Sequence, residues 1–323
     1  MVSKILIYAL AIFMVIAVIL PLIRKDHWTF RVFEFPRVQK LTLTVLTLVL
    51  AYFFLPHTLI HYLTMGILVL IIIHLVYLIL PFTILASKSV KGISRKKAKD
   101  PFKLLISNVY QPNSDYSKLV SRIKRHEPDL VFLVETDDAW KKGIREIESL
   151  YPYTIFHPMD NTYGLLLYSK LELVEHQIRY LVEEDIPSIK AKVKSPAGGE
   201  ILFFGLHPEP PFPTENPYST DRDTELLLVA RECELEKQPT LVIGDMNDVA
   251  WSYTTERFLN ISGLLDLRKG RGIFPTFHAK NILMRWPLDH IFCSPHFKLI
   301  RMKRLKRIGS DHFPVLVELS LEC

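Results

Sequence analysis

The residues of this sequence that are best suited to chemistry lie at the edges of short apolar runs. Six passages, far apart along the chain, place carboxylate, amide or imidazole side chains there. They are Ser107-Asn108-Val109, Val134-Glu135-Thr136, Leu206-His207-Pro208, Gly244-Asp245-Met246-Asn247-Asp248, Pro287-Leu288-Asp289-His290-Ile291-Phe292 and Gly309-Ser310-Asp311-His312-Phe313-Pro314. Carboxylate and amide oxygens bind hard divalent cations, and imidazole and carboxylate groups transfer protons. Together these side chains are suited to metal-assisted acid–base chemistry.

Each passage taken alone also has a purely structural interpretation. Asn108 is a suitable turn residue, Glu135 can accept hydrogen bonds from a following helix, and Asp245 fits an Asx turn. A single histidine such as His207 is more often structural than catalytic. The functional hypothesis therefore requires a fold that brings the six passages together.

The elements that must position these residues are predicted to be mainly strands. Apolar runs rich in β-branched and aromatic residues predict strands, whereas apolar residues on one face of a 3.6-residue period predict helices. Turn signals at Ser195-Pro196 and Gly198-Gly199 predict hairpins within residues 150–206. The predicted strands are Phe102–Val109, Leu130–Val134, Gly164–Tyr168, Ile201–Leu206, Leu241–Ile243, Leu288–Phe292 and Phe313–Leu319, and the predicted helices are Tyr116–Arg125 and Thr224–Glu236. This mixture indicates an α/β sandwich with substantial antiparallel content.

In their order, the six passages resemble the endonuclease/exonuclease/phosphatase superfamily, which has the fold of deoxyribonuclease I. The resemblance covers residues 102–320, and its most specific part is Gly-Asp-x-Asn at 244–247 followed by Ser-Asp-His at 310–312. It implies an α/β fold, namely a four-layer sandwich of two packed mixed sheets with outer helices. Many nucleases of this superfamily carry an acid where this chain has Tyr110, so a metal contact from that position is not expected here.

Further passages are similar to the bacterial membrane-anchored branch of that superfamily. These passages are His207-Pro208-x-Pro210-Pro211, Arg222-Asp223-x-Glu225-Leu226, Trp251-Ser252 and Gly270-x-Gly272.

The resemblance also implies roles for individual residues. Asn108, Glu135 and Asp311 are expected to bind Mg²⁺, with Mn²⁺ as an alternative, and His207, Asp245, Asn247, Asp289 and His312 are expected to be catalytic. Asp245 orients or deprotonates the attacking water, Asn247 donates to a phosphoryl oxygen, and His207 contacts phosphate. Asp289 fixes the tautomer of His312. Whether His312 or Asp245 is the general base stays open.

Two further residues are expected to bind substrate. Arg222 either contacts phosphate or pairs with a neighbouring acid, and Trp251 either stacks on a base, covers a lipid chain or packs internally.

The first hundred residues differ sharply in composition from the remainder. Uncharged stretches at residues 5–23 and 41–87 are long enough for three membrane-spanning helices, at about 5–23, 41–56 and 62–86. We expect residues 1–98 to form a membrane anchor with a basic linker and residues 99–323 to form the catalytic domain. A helical hairpin buried in a soluble protein is the alternative.

The distribution of charge predicts orientation and narrows the function. Residues 1–100 hold 12 Lys and Arg against 3 Asp and Glu, and residues 101–323 hold 28 against 31. Basic segments at 24–40 and 88–99 are separated by two spans, so they lie on one side, which the positive-inside rule makes cytoplasmic. We therefore expect a multi-pass protein of the cell inner membrane with a cytoplasmic catalytic domain.

The expected activity is magnesium-dependent hydrolysis of phosphodiester bonds, nuclease-like in the leading interpretation. The acidic balance of the domain disfavours a strongly basic nucleic-acid binder, although basic residues at 298–307 offer a local track or, equally, a charged edge strand. A phospholipid or lipid-linked phosphate is the alternative substrate. A non-catalytic membrane scaffold is the alternative from another class. The expected partners are the phosphate-ester substrate and the bilayer, and no protein partner is inferable.

Overall fold

The computed structural model describes residues 2–322 of the chain, so Cys323 lies outside the described residues. The helices are α1 (Val2–Ile19), α2 (Trp28–Arg31), α3 (Arg37–Phe54), α4 (Leu59–Ile79), α5 (Tyr116–His126), α6 (Asp138–Gly143), α7 (Thr220–Leu235) and α8 (Tyr253–Ser262). The strands are β1 (Asp100–Asn108), β2 (Leu130–Val134), β3 (Tyr153–His157), β4 (Leu165–Ser169), β5 (Leu173–Tyr180), β6 (Pro187–Lys194), β7 (Glu200–Leu206), β8 (Thr240–Asp245), β9 (Leu265–Asp266), β10 (Asp289–Cys293), β11 (Phe297–Arg304) and β12 (Val315–Leu321).

Within the described residues the strands form two six-stranded sheets. The first has the order β11-β12-β1-β2-β4-β3 and the second β5-β6-β7-β8-β10-β9. The pairs β1–β2 and β7–β8 are parallel, and the other pairs are antiparallel. The two mixed sheets confirm the predicted fold class.

Both faces of the central strands are buried. Leu104 and Ile106 of β1 lie in the core between the sheets, and Leu105 between them packs under α5. In the second sheet Phe203 lies in the central core while Phe204 packs under α7 and α8. A strand covered on both faces must be apolar at successive positions, which explains why these strands are unbroken apolar runs in the sequence.

Three N-terminal helices stand apart in composition from the sandwich. The segments Lys4–Leu22, Arg37–Phe54 and Leu59–Phe82 are long and apolar enough to cross a membrane. The second begins at Arg37 rather than 41, so it contains Lys40, whose Nζ donates to the carbonyls of Ala17 (3.1 Å) and Phe33 (2.8 Å). The charge at the start of this helix is thus satisfied by backbone oxygens.

The segment between the helices and β1 already packs on the sandwich. The N–H of Leu299 in β11 donates to the carbonyl of Lys91, the N–H of Ile93 donates to the carbonyl of Leu299, and Val90 is buried in the central core. The predicted boundary between residues 98 and 99 therefore lies within a stretch that contacts the domain, and the division into an anchor and a catalytic domain remains a prediction.

Candidate active site

The ends of neighbouring strands bring the six polar passages to one end of the sandwich. Asn108 ends β1 and Glu135 follows β2, its parallel neighbour. Asp245 ends β8 and lies opposite Asp289, the first residue of the antiparallel strand β10. His207 follows β7, which runs parallel to β8 and ends beside it. The sixth passage, residues 309–314, leads directly into β12, which is antiparallel to β1 and begins beside the end of β1. The six passages therefore converge because of strand direction, although they are distant in sequence.

Four of these residues form a cluster, called here the carboxylate–histidine cluster: Glu135, Asp245, Asp289 and His312. Nδ1 of His312 donates to Oδ2 of Asp289 (2.8 Å), and its Nε2 lies 3.4 Å from Oδ2 of Asp245. Asn108 joins Glu135 to the others, because its Nδ2 donates to Oε1 of Glu135 (2.6 Å) and to Oδ2 of Asp245 (2.9 Å). One ligand atom from each of Asp245, Asp289 and His312 lies within 4.8 Å of the others.

The backbone around Asp245 explains two residues of the Gly-Asp-x-Asn passage. A Cβ on Gly244 would lie 1.9 Å from the carbonyl oxygen of Leu206, so only glycine allows β7 and β8 this close approach. Asn247 has a φ of 48°, in the left-handed region that asparagine tolerates better than most residues. Its N–H donates to Oδ1 of Asp245 (3.0 Å), and its Nδ2 donates to the carbonyl of Pro208 (2.9 Å). The loop after β8 is thereby fixed to the loop after β7.

Burial and unbalanced charge shift the pKa values of the cluster. Burial alone disfavours the charged form of His312, but the carboxylates of Asp289 and Asp245 outweigh it and raise the pKa of His312 to about 10. Burial raises the pKa of Glu135 to about 7, and the hydrogen bond from Asn108 only partly opposes this shift. Unpaired negative charge therefore remains beside a histidine held in its cationic form.

His207 and Asp311 lie at the margins of the cluster. His207 is buried against the ring of Tyr163, and its Nδ1 has no hydrogen-bond partner among the described residues. Burial lowers its pKa to about 4, so its imidazole is neutral. Asp311 is half-buried and close enough for its charge to raise the pKa of Glu135. Both residues therefore lie close to the cluster, where their predicted roles require them to be.

The orientation of Asn108 bears on its expected role as a metal ligand. Its Oδ1 accepts the N–H of Tyr110 (2.9 Å), while its Nδ2 faces the carboxylates. Asn108 thus presents a donor to the cluster in this structure, and its role as an oxygen ligand of a metal remains a prediction. The two carboxylates explain this orientation, because an amide oxygen turned toward them would be repelled.

The two residues expected to bind substrate are buried elsewhere. Arg222 is 1% exposed, pairs with Asp223 (2.7 Å) and Asp248 (3.5 Å), and donates to the carbonyl of Asn247 (2.7 Å). Trp251 is 2% exposed, and its indole N–H donates to the carbonyl of Glu34 (2.9 Å). Both side chains thus have the internal contacts that were the alternative for each, and their binding of substrate remains a prediction.

Arg222 belongs to a second group of buried charges, called here the anchor cluster: Arg31, Glu34, Arg222, Asp223 and Asp248. Arg31 comes from α2, between the first two apolar helices, and pairs with Asp223 (2.9 Å) and Glu34 (3.3 Å). Burial, followed by the nearby Asp248, raises the pKa of Glu34 to about 7. Phe82 from the end of the third apolar segment packs on Trp251. These contacts join the N-terminal segments to the loop that carries Asp245.

Sequence reasoning missed several residues that shape the site. The hydroxyl of Ser310 donates to the carbonyl of Asn108 (3.0 Å) and accepts the N–H of His312 (2.8 Å). Oγ1 of Thr276 accepts the N–H of Asp289 (3.2 Å), and Phe277 packs on the His312 ring. Ser310 adjoins the Ser-Asp-His passage and was recognisable there, whereas nothing in the local pattern around Thr276 marks it.

The donor set fits a divalent cation. Oδ1 of Asp289 is buried and finds no hydrogen-bond partner within residues 2–322, and Glu135 lies among acids with its pKa raised to about 7. Carboxylate oxygens are the preferred ligands of Mg²⁺ and Mn²⁺. A cation among Glu135, Asp245, Asp289 and Asp311 would compensate charge that the surrounding residues leave unbalanced.

Comparisons with known proteins agree with this geometry. The model of the Endonuclease/Exonuclease/phosphatase family matches residues 105–312. A search of curated proteins finds no matching sequence.

Solved structures share the fold at low sequence identity. A family protein from Bacteroides vulgatus is 20% identical with a TM-score of 0.57, over 69% of this chain and 100% of that one. A mannosyl-6-phosphatase from Bacteroides thetaiotaomicron is 21% identical with a TM-score of 0.53, over 68% and 99%. TDP2 from D. rerio, in complex with a single-strand DNA product, is 17% identical with a TM-score of 0.55, over 69% and 100%.

Proposed function

Because this chain belongs to the endonuclease/exonuclease/phosphatase family, we propose that it hydrolyses phosphate ester bonds with a divalent cation at a membrane surface. The observation that carries the proposal is the convergence of Asp245, Asp289 and His312 within 4.8 Å, with Glu135 joined to them through Asn108. Such a cluster supplies both ligands for a cation and groups that move protons.

Glu135 and Asp311 would hold the cation, Mg²⁺ or Mn²⁺, together with the neighbouring aspartates. When bound, it supplies positive charge against the phosphoryl oxygens and lowers the barrier to attack by water. The chain itself positions the ligands, because Asn108 fixes Glu135 and the buried ends of β8 and β10 fix Asp245 and Asp289.

The assignment of the proton-transfer roles starts from the charge state of His312. His312 is held cationic by Asp289 and Asp245, so it is suited to donate a hydrogen bond or proton to the phosphate. We therefore assign the orientation and deprotonation of the attacking water to Asp245. The remaining N–H of the Asn247 side chain and the neutral imidazole of His207 stabilise the phosphoryl oxygens as negative charge develops.

We further propose that the three apolar helices hold the site at the membrane. The loop between the first two helices contacts the sandwich through Arg31 and Glu34, which supports one common side for both. The basic residues at 24–40 and 88–99 favour the cytoplasmic side of the cell inner membrane.

Nuclease-like activity is a second candidate, and one observation favours it. Arg301 and Lys303 on the edge strand β11 are exposed, as are Lys306 and Arg307 beyond it, and these residues precede Ser310. A solved relative of the same fold has a DNA product bound. The burial of Arg222 and Trp251 removes the other support for a nucleic-acid contact.

The test uses the full chain in detergent, with a chromogenic phosphodiester and Mg²⁺ or Mn²⁺. We expect hydrolysis that EDTA abolishes and that Glu135→Gln lowers by about two orders of magnitude or more. Glu146→Gln, at an exposed acid away from the cluster, is the matched control and should leave the rate unchanged. Hydrolysis insensitive to EDTA and to Glu135→Gln would contradict the proposal. No hydrolysis of any phosphoester would favour a scaffold.

A further inference from the structure

An apolar groove lies between helix α3 and the segment that precedes β10. It has a volume of about 560 Å³ and is lined by Leu43 and Leu46 of α3 and by Pro275, Ile282 and Leu283 of the segment. Its wall is formed jointly by a candidate membrane helix and the sandwich.

The depth of the groove places it at the bilayer. Its α3 residues span Val38 to Leu46, which at 1.5 Å per residue covers about 12 Å from the start of a helix suited to crossing the hydrocarbon. Nε2 of Gln39 donates to the carbonyl of Leu283 (2.8 Å) and fixes the segment to the helix. Ile282 and Leu283 are 74% and 75% exposed at this level. Two such side chains face hydrocarbon more favourably than water.

The same segment forms a wall of the candidate active site. Pro275 lines the groove, the next residue, Thr276, accepts the N–H of Asp289, and Phe277 packs on the ring of His312. The N–H of Ala279 donates to the carbonyl of Asp311 (2.5 Å). The groove and the carboxylate–histidine cluster are thus separated by a single thin stretch of chain.

Cationic side chains lie where the groove meets this wall. Arg285 lines the groove, with its guanidinium over the ring of Phe313, and the guanidinium of Arg304 lies over the same ring. Phe313 directly follows His312. An apolar channel with arginines at its polar end is complementary to a hydrocarbon chain that carries an anionic phosphate.

We propose that this groove binds the hydrocarbon chain of a membrane amphiphile whose phosphate ester occupies the carboxylate–histidine cluster. The substrate class is then a phosphoester embedded in the leaflet of the bilayer that faces the sandwich. The inference rests on the proposed function, because it names the substrate of that same site. In the reaction, the oxygen of water bonds to phosphorus, the P–O bond to the leaving alcohol breaks, and the proton of water passes to that alcohol.

The test compares two chromogenic esters that differ only in their chain. The full protein in lipid vesicles is given 4-nitrophenyl methyl phosphate or 4-nitrophenyl hexadecyl phosphate with Mg²⁺ or Mn²⁺. We expect the hexadecyl ester to have the higher kcat/KM by about tenfold or more, because its chain gains apolar contact in the groove. The double variant Ile282→Gln/Leu283→Gln should remove most of this preference.

The matched control is Leu235→Gln, an exposed leucine at the end of α7 that does not line the groove, and it should keep the preference. Equal kcat/KM for the two esters, or a preference unaffected by the double variant, would overturn the inference while leaving the phosphoesterase proposal intact. Faster cleavage of a single-stranded oligonucleotide than of the hexadecyl ester would overturn it in favour of a nuclease. Hydrolysis of none of the three, neither ester nor the oligonucleotide, would overturn both proposals.

Discussion

The carboxylate–histidine cluster and the anchor cluster are both buried groups of charges, and they differ in balance. The anchor cluster sets the guanidinium groups of Arg31 and Arg222 against carboxyls at hydrogen-bond distance. The other cluster sets one imidazolium, His312, against several acids, and Oδ1 of Asp289 has no partner in the part of the chain that the structure describes. Buried charges that are paired hold structure together, whereas unpaired ones are costly unless they bind something. The balance of charge therefore distinguishes a structural cluster from a functional one.

The two clusters meet in a single loop, which makes the comparison testable. Asp245 and Asp248 are three residues apart and each is about 1% exposed. Asp245 faces His312 and Asn108, whereas Asp248 faces Arg222 and accepts a hydrogen bond from the hydroxyl of Ser252. Asp245→Asn should therefore lower activity and leave stability largely unchanged. Asp248→Asn should instead lower stability and leave substantial activity.

The largest expected effect is on activity at Asp245. Asp245→Asn removes the group assigned to water, and we expect turnover of a chromogenic phosphodiester to fall by about two orders of magnitude or more. The melting temperature should stay near the wild-type value, because the change also relieves repulsion among buried acids. A variant that melts far below wild type would show that Asp245 is mainly structural.

The second effect is on stability at Asp248. Asp248→Asn removes one of the two carboxylate partners of the buried Arg222 cation and leaves Asp223, so we expect a loss of about 1–3 kcal/mol in stability. We expect unfolding of the detergent-solubilised chain at a clearly lower temperature, with substantial turnover per folded molecule. If this variant kept its stability and lost its turnover, the distinction between the clusters would be wrong.

A third effect concerns the pH dependence of stability. Glu34 has its pKa raised to about 7 in the folded protein, whereas the unfolded chain loses that proton near 4.5. Folding thus takes up a proton between these values, so the contribution of Glu34 to stability falls as pH rises through this window, by about 3 kcal/mol. Unfolding measured at pH 5 and pH 8 should show a smaller loss in Glu34→Gln than in wild type. An equal loss in both proteins would show that a group other than Glu34 causes the pH dependence of stability.

The smallest effect separates packing from substrate contact at Trp251. Trp251→Phe keeps the aromatic packing on Phe82 and removes the hydrogen bond to the carbonyl of Glu34, at a cost of about 1 kcal/mol in stability. We expect an unchanged KM for a chromogenic phosphodiester. A raised KM with unchanged stability would restore the contact with substrate that the buried position argues against.

These two regions also differ in how far the sequence predicts them. The strands that end at Asn108, just before Glu135 and at Asp245 are covered on both faces. Each therefore appears in the sequence as an apolar run followed by polar residues. The order of the six passages along the chain carries the family resemblance, and that resemblance predicts that the fold brings them together. Strand β5 was not predicted, because four successive residues from Val174 to Gln177 are exposed and no apolar alternation marks it.

The local sequence pattern does not predict the anchor cluster. Arg222 and Trp251 occur beside site residues in sequence, and only the packing of α2 and α3 on the sandwich shows that they are covered. The orientation of Asn108 likewise depends on two carboxylates from distant strands. Contacts between elements far apart in the chain determine the burial of Arg222 and Trp251 and the orientation of Asn108. Residue types alone do not predict these contacts.

Binding of Mn²⁺ to the full chain, followed by electron paramagnetic resonance, tests most directly whether the carboxylate–histidine cluster holds a divalent cation. We predict saturable binding that Mg²⁺ displaces, weakened by about tenfold or more in Glu135→Gln and unchanged in Glu146→Gln. Wild-type protein that binds no Mn²⁺, or Glu135→Gln protein that binds it as tightly as wild type, would contradict the account.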